Sequence, residues 1–103
     1  MTIVLLRWGD RAHEYSEPEL DRLQEQHLAH LDRLRAEGHL LAAGPFDDQP
    51  NVTWRGLCLY ATGVDQARAL AEQDPAVQAG RLRIDAWQWW FERGEVTFPG
   101  RDE

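Results

Sequence analysis

The order of apolar segments predicts an α+β domain of the ferredoxin-like kind, β-α-β-β-α-β, with a four-stranded antiparallel sheet and both helices on one face. Three observations carry this. Four short runs rich in leucine, β-branched and aromatic residues are spaced as strands. A long amphipathic segment with start and stop signals separates the first two, and a shorter one separates the last two. The middle pair is joined by a turn-rich connection alone, as in a long hairpin loop.

Residues 2–8 (TIVLLRW) form the first strand, and residues 9–15 a polar turn. Ser16 opens the long helix: with Glu19 three positions on it makes a capping box, and Pro18 falls in the first turn. Leu20, Leu23, His27, Leu31 and Leu34 recur at helical spacing and define one apolar face. Gly38 ends the helix as a left-handed cap. Residues 40–46 (LLAAGPF) are the second strand, residues 47–55 the turn-rich connection, and residues 56–61 (GLCLYA) the third strand. Thr62 or Gly63 caps the shorter helix, which runs to Gln73 with Ala67, Leu70 and Ala71 inward. Asp74-Pro75 breaks it and starts a short helical turn. Residues 82–91 are the last strand, so residues 1–94 are one domain and 95–103 a tail, in which Phe98-Pro99 either docks on a partner or frays.

Along the last strand Trp87, Trp89 and Phe91 share one face, and Ile84, Ala86, Gln88 and Trp90 the other. Large aromatics on both faces do not suit a solvated sheet, so the face without helices is expected to pack on a second copy as a homodimer.

A length of 103 residues suits one domain. Seven more acidic than basic residues give a net charge of −7, which argues against nucleic acid and anionic membranes as partners. All 11 basic residues are arginine, which closes lysine-nucleophile and Walker-lysine chemistry. One cysteine, Cys58, leaves no internal disulfide and no cysteine-only zinc site. No apolar run reaches the roughly 20 residues of a membrane span. The N-terminal run lacks the basic flank and cleavage site of a signal peptide, so a cytoplasmic location is expected.

His27 is the most informative residue, an imidazole at a core-facing position where it requires a hydrogen-bond partner. Held by a carboxylate it suits general acid–base work; held by a backbone carbonyl it is structural. Asp74 is the candidate carboxylate, with capping of the following turn as its alternative role. The i, i+3 pair His27 and His30 matches no recognised zinc pattern, so no metal is expected. His30 is read as a partly exposed flank, Cys58 as a small buried hydrophobe, and Asp47 with Asp48 as a solvated turn that faces a cleft only in the less favoured reading. No GxGxxG loop follows a strand, and no nucleotide cofactor is expected.

Residues 27–38 (HLAHLDRLRAEG) followed by 40–46 (LLAAGPF), Gly56 opening a strand, and 74–80 (DPAVQAG) before an aromatic-ended strand together resemble the YciI-like family over residues 2–91. The resemblance implies membership of the dimeric α+β barrel group. It also implies a His–Asp catalytic dyad: His27, eleven residues before the helix-ending glycine, and Asp74 of the Asp-Pro step. The family's clearest activity is dehydrohalogenation of hydroxylated aromatics. Some members carry arginine one turn before the histidine, where this chain has Gln24, which implies a different or uncharged substrate.

The expected function is therefore a small, cofactor-free dimeric enzyme in which His27 moves a proton and Asp74 orients it. The reaction is elimination or isomerisation on a small, cyclic or aromatic molecule, with Gly44, Pro45 and Trp89 as candidate substrate-binding residues. The competing reading is a non-catalytic ligand-binding or interaction module in which the same pair is structural. A cofactor-independent oxygenase is a third.

Overall fold

The computed structural model describes residues 1–47, 51–92 and 94–98. Asp48 of the expected carboxylate pair and Pro99 of the tail lie outside the described residues. The elements run β1 (Thr2–Trp8), α1 (Glu17–Ala36), β2 (Leu40–Pro45), β3 (Trp54–Tyr60), α2 (Val64–Glu72), α3 (Pro75–Gln78) and β4 (Leu82–Gln88). The four strands form one sheet in the order β2-β3-β1-β4, every neighbouring pair antiparallel. This is the ferredoxin-like α+β arrangement. No helix among the described residues is long and apolar enough to cross a membrane.

The start of α1 follows from its capping box. The Ser16 hydroxyl accepts from the Glu19 backbone N–H, and the Glu19 carboxylate accepts from the Ser16 backbone N–H at 3.1 Å. Both orphan donors are thereby satisfied. At the other end Gly38 takes φ +84°, and the His39 N–H closes on the Leu34 carbonyl at 3.0 Å. The chain can then turn directly into β2.

Register decides which side of the sheet is covered. Val4 sits opposite Cys58 and Ala86, and Leu6 opposite Gly56 and Ile84. Period-two alternation sends these residues and Tyr60 to one face. There Val4, Leu6, Cys58 and Tyr60 pack with Leu34 of α1, Leu40, and Ala67 and Ala71 of α2. Both helices thus cover the same face. Alanines at 67 and 71, 0% and 3% exposed, let α2 approach the strands closely.

The opposite face carries Ile3, Leu5, Leu57, Leu59 and Trp87 in register. Arg7 Nη1 meets Asp85 Oδ2 there at 2.8 Å. Leu5 and Leu59 are buried, whereas Leu57 and Trp87 remain 37% and 53% exposed.

Two expectations require correction. β4 ends at Gln88, three residues short of Phe91, because pairing with β1 runs out where Thr2 meets Gln88. Beyond it Trp89 and Phe91 pack on each other with ring centroids 4.8 Å apart, and Trp90 is 81% exposed. His30 is not a partly exposed flank but 1% exposed, set among Arg33, Asp74 and the Leu70 backbone of α2. Smaller differences lie at ends: β2 stops at Pro45, and β3 begins two residues early, at Trp54.

Leu34 joins α1 to both halves of the sheet and is 1% exposed. Leu34→Ala is expected to lower unfolding free energy by about 2–5 kcal/mol, with the fold retained. Guanidinium chloride denaturation checks this, and a loss under about 1 kcal/mol would show that this site is not a core position.

Candidate functional site

Five residues of α1 were expected to form one buried stripe, but only His27 and Leu34 are buried. Leu20, Leu23 and Leu31 are half-exposed because they line a cleft of about 580 Å³ between α1 and the helix-bearing face of the sheet. Leu6, Trp8, Gly56 and Cys58 contribute from the strands. Gly56 keeps this wall low, since a Cβ there would stand 2.9 Å from the Gly44 carbonyl oxygen and cannot be accommodated without a shift. The volume suits a single-ring organic molecule.

His27 lies in this cleft wall, 8% exposed, with Asp74 behind it at 2%. The geometry at Asp74 is built by its place before α3. Its Oδ1 accepts from the Ala76 N–H at 2.9 Å, so the carboxylate is fixed by the short helix it caps. Its Oδ2 accepts from His27 Nδ1–H. Each carboxylate oxygen therefore has its own donor, and neither role excludes the other. A proton on Nδ1 leaves Nε2 as the imidazole's lone-pair nitrogen. The arrangement combines an oriented base with an anion able to stabilise the imidazolium that forms when it accepts a proton.

His30 serves different partners, and the two imidazoles do not face a common ion. Its Nδ1 accepts from Arg33 Nη2 at 2.9 Å, which places the ring proton on Nε2. Burial pushes this imidazole below its ordinary value near 6.5; Asp74 opposes the shift and Arg33 adds to it. The Leu70 carbonyl also favours the charged form, yet Nε2 makes no hydrogen bond of good geometry. Among the described residues no three His, Cys, Asp or Glu side chains converge as a metal site.

Burial, reinforced by the Asp74 charge, pushes the Cys58 thiol up to about 12. It lines the cleft as a small apolar group and not as a thiolate nucleophile. Of the other candidates, Gly44 and Pro45 line the cleft, and Gln24 does so one turn before His27. Trp89 does not, because the strand has ended and its ring packs on Phe91. Asp47 is exposed and also lies outside the cleft lining.

Trp8, Arg55 and Arg81 are among the lining residues that the sequence did not point to. The Arg55 and Arg81 guanidinium carbons lie over the Trp8 ring, 4.5 Å and 3.9 Å from its centroid. Trp8 was legible only as the end of a strand, and nothing in the spacing of the two arginines joins them to it.

A family model for the YCII-related domain matches residues 1–89. The chain belongs to that family. A search of curated proteins finds no match to this YCII-related domain. Among solved structures it resembles the 5-chloro-2-hydroxyhydroquinone dehydrochlorinase from Burkholderia phenoliruptrix AC1100, determined in complex with 2,5-dihydroxybenzoquinone. The two share 20% identity over 90% of this chain and 97% of that one, with a TM-score of 0.57, a likeness of fold.

The His30 environment fixes a sign for pH. A folded-state value below the unfolded one means that the folded protein binds fewer protons, so His30 subtracts stability only as pH falls below about 6.5. Its ring C–H signals are expected to titrate with a midpoint below 6.5. A proton NMR titration, assigned with His30→Gln, checks this; a midpoint at or above 6.5 would contradict the buried, neutral imidazole.

Proposed function

We propose that this YCII-related domain is a small acid–base enzyme of the lyase or isomerase type, with His27 and Asp74 as its catalytic pair. The observation that carries the reading is the His27–Asp74 hydrogen bond at the wall of a cleft sized for one ring. A purely structural pair has no need of a cleft beside the imidazole. In an elimination, Nε2 takes the proton from the carbon next to the one bearing the leaving group. The C–H electron pair becomes the new double bond, the leaving group departs with its own pair, and Asp74 offsets the charge on the imidazolium. The fold shared with a dehydrochlorinase acting on a chlorinated hydroxyhydroquinone supports a small, ring-bearing substrate. Gly44 and Pro45 would contact it from the edge of the sheet.

The tautomer is directly measurable. In the neutral form of the His27 ring, ¹⁵N spectra are expected to show a proton on Nδ1 and none on Nε2, a pattern lost in Asp74→Asn. On an identified substrate, His27→Ala and Asp74→Asn are each expected to lower kcat by about 10²–10⁴-fold with folding intact by circular dichroism. A binding module in place of an enzyme is the conclusion if ligands stabilise the protein yet are never consumed.

The protein is further proposed to work in the cytoplasm as a homodimer, joined through the sheet face that bears Leu57 and Trp87. Those two side chains are more exposed than an apolar sheet face in water warrants. Light scattering at micromolar concentration is expected to give twice the chain mass, and Trp87→Glu to give the monomer. A monomeric parent protein would overturn the dimer.

A further inference from the structure

The cleft has two chemically different ends. His27 and the leucines of α1 line one side, whereas Trp8 with Arg55 and Arg81 lines another. Each arginine reaches the same ring from a separate element. Arg55 comes from β3, and Arg81 from the turn after α3, where its Nη1 donates to the Ala12 carbonyl. Arg55 makes one long contact, Nη1 to the Val52 carbonyl at 3.4 Å.

Neither arginine has a carboxylate partner among the described residues. Arg7, Arg11, Arg35 and Arg68 do, and Arg22, Arg33 and Arg83 do not; what sets Arg55 and Arg81 apart is that both stand over one ring in the cleft wall. The carboxylates in the cleft lining stand on α1: Asp32, which is paired with Arg35, and Asp21, which is exposed. Two unneutralised guanidinium groups over one indole are unexpected in a chain of net charge −7. Cation–π attraction holds each to the ring, but the two positive charges repel. Burial and the neighbouring Arg55 both disfavour the charged form of Arg81. An anion bound beside both would offset that repulsion, and a planar carboxylate matches the donor fork of arginine.

We propose that Arg55 and Arg81, with Trp8, form the carboxylate-binding end of this cleft, so that the substrate is a ring-bearing organic acid. The anionic group would sit at the arginines beside Trp8 and the ring against Leu6, which orients the rest of the molecule toward His27. This rests on the acid–base reading only for what happens at the far end. Of the two alternatives drawn from Gln24, a different or an uncharged substrate, it takes the first: the positive charge absent one turn before His27 is supplied from β3 and from the turn before β4.

The test compares benzoate, benzamide and inorganic phosphate as probes of the intact protein. The readout is the Trp8 indole N–H signal, assigned with Trp8→Phe. Benzoate is expected to shift it saturably at millimolar concentration, and benzamide to bind at least about tenfold more weakly. Arg55→Gln is expected to weaken benzoate by about tenfold, the loss of one charge-assisted hydrogen bond. Arg81→Gln should do the same where circular dichroism shows it folded; Arg55→Gln keeps the test decisive because Arg55 holds no buried backbone group. Equal binding of benzoate and benzamide, no saturable benzoate shift, or unchanged affinity in Arg55→Gln would overturn the proposal. Phosphate binding as tightly as benzoate would overturn the ring-bearing assignment. The readout is binding, so it does not depend on proton transfer by His27. Selective benzoate binding with an uncoupled His27 would fail the acid–base reading alone, and the converse would fail this proposal alone.

Discussion

The contact between His27 and Asp74 joins parts of the chain 47 residues apart and fixes where the cleft lies. Taking a carboxylate to 2% exposure carries a desolvation cost that only specific partners offset. Asp74 has them: the Ala76 N–H on one oxygen and the imidazole on the other. A hydrogen bond to a buried carboxylate typically contributes about 1.5–3 kcal/mol, so α1 does not part cheaply from the turn that starts α3. Their docking in turn buries His30 and leaves the leucines of the neighbouring helix face over open space.

That open space follows from side-chain size. Ala67, Ala71 and Ala76 allow α2 and α3 to sit close on their neighbours, while Gly56 and Ala43 leave the sheet low under one face of α1. A helix held close at Leu34 and not filled beneath Leu20 and Leu23 spans a gap. The site is thus a region where the core was left unpacked, bounded by a fixed base and by cations from other elements. Close packing on one face of α1 and a void beneath the neighbouring face are two results of the same composition.

Most of the fold was legible because its signals are local. The Ser16–Glu19 box, the glycine at 38 and the Asp-Pro step each act over three or four residues and each marked a real boundary. The histidine and its carboxylate could be nominated, since a polar residue in a leucine stripe demands a partner, but their contact depends on how α3 lies across α1. The burial of His30 was hidden for the same reason: periodicity describes one helix face, and α1 is covered on two. Trp89 and Phe91 read as strand because they alternate, yet after Thr2 meets Gln88 only one more backbone bond forms, from the Trp89 N–H to the Met1 carbonyl, and the ladder ends there. Trp8, Arg55 and Arg81 carry no pattern at all, being joined only by the topology that sets β3 and β4 on either side of β1.

The sheet's β2 edge shows a further consequence. Its register slips between Leu40 and Ala42, and the strand ends in Gly44-Pro45, where the ring removes a backbone donor. An incoming extended chain would find there an interrupted ladder and a missing N–H. Bulges and prolines at such positions are how sheet proteins resist sideways growth into fibrils. The residues that frame the mouth of the cleft therefore also protect the molecule from adding a fifth strand, and a change to Pro45 that opened the cleft would expose a template for aggregation.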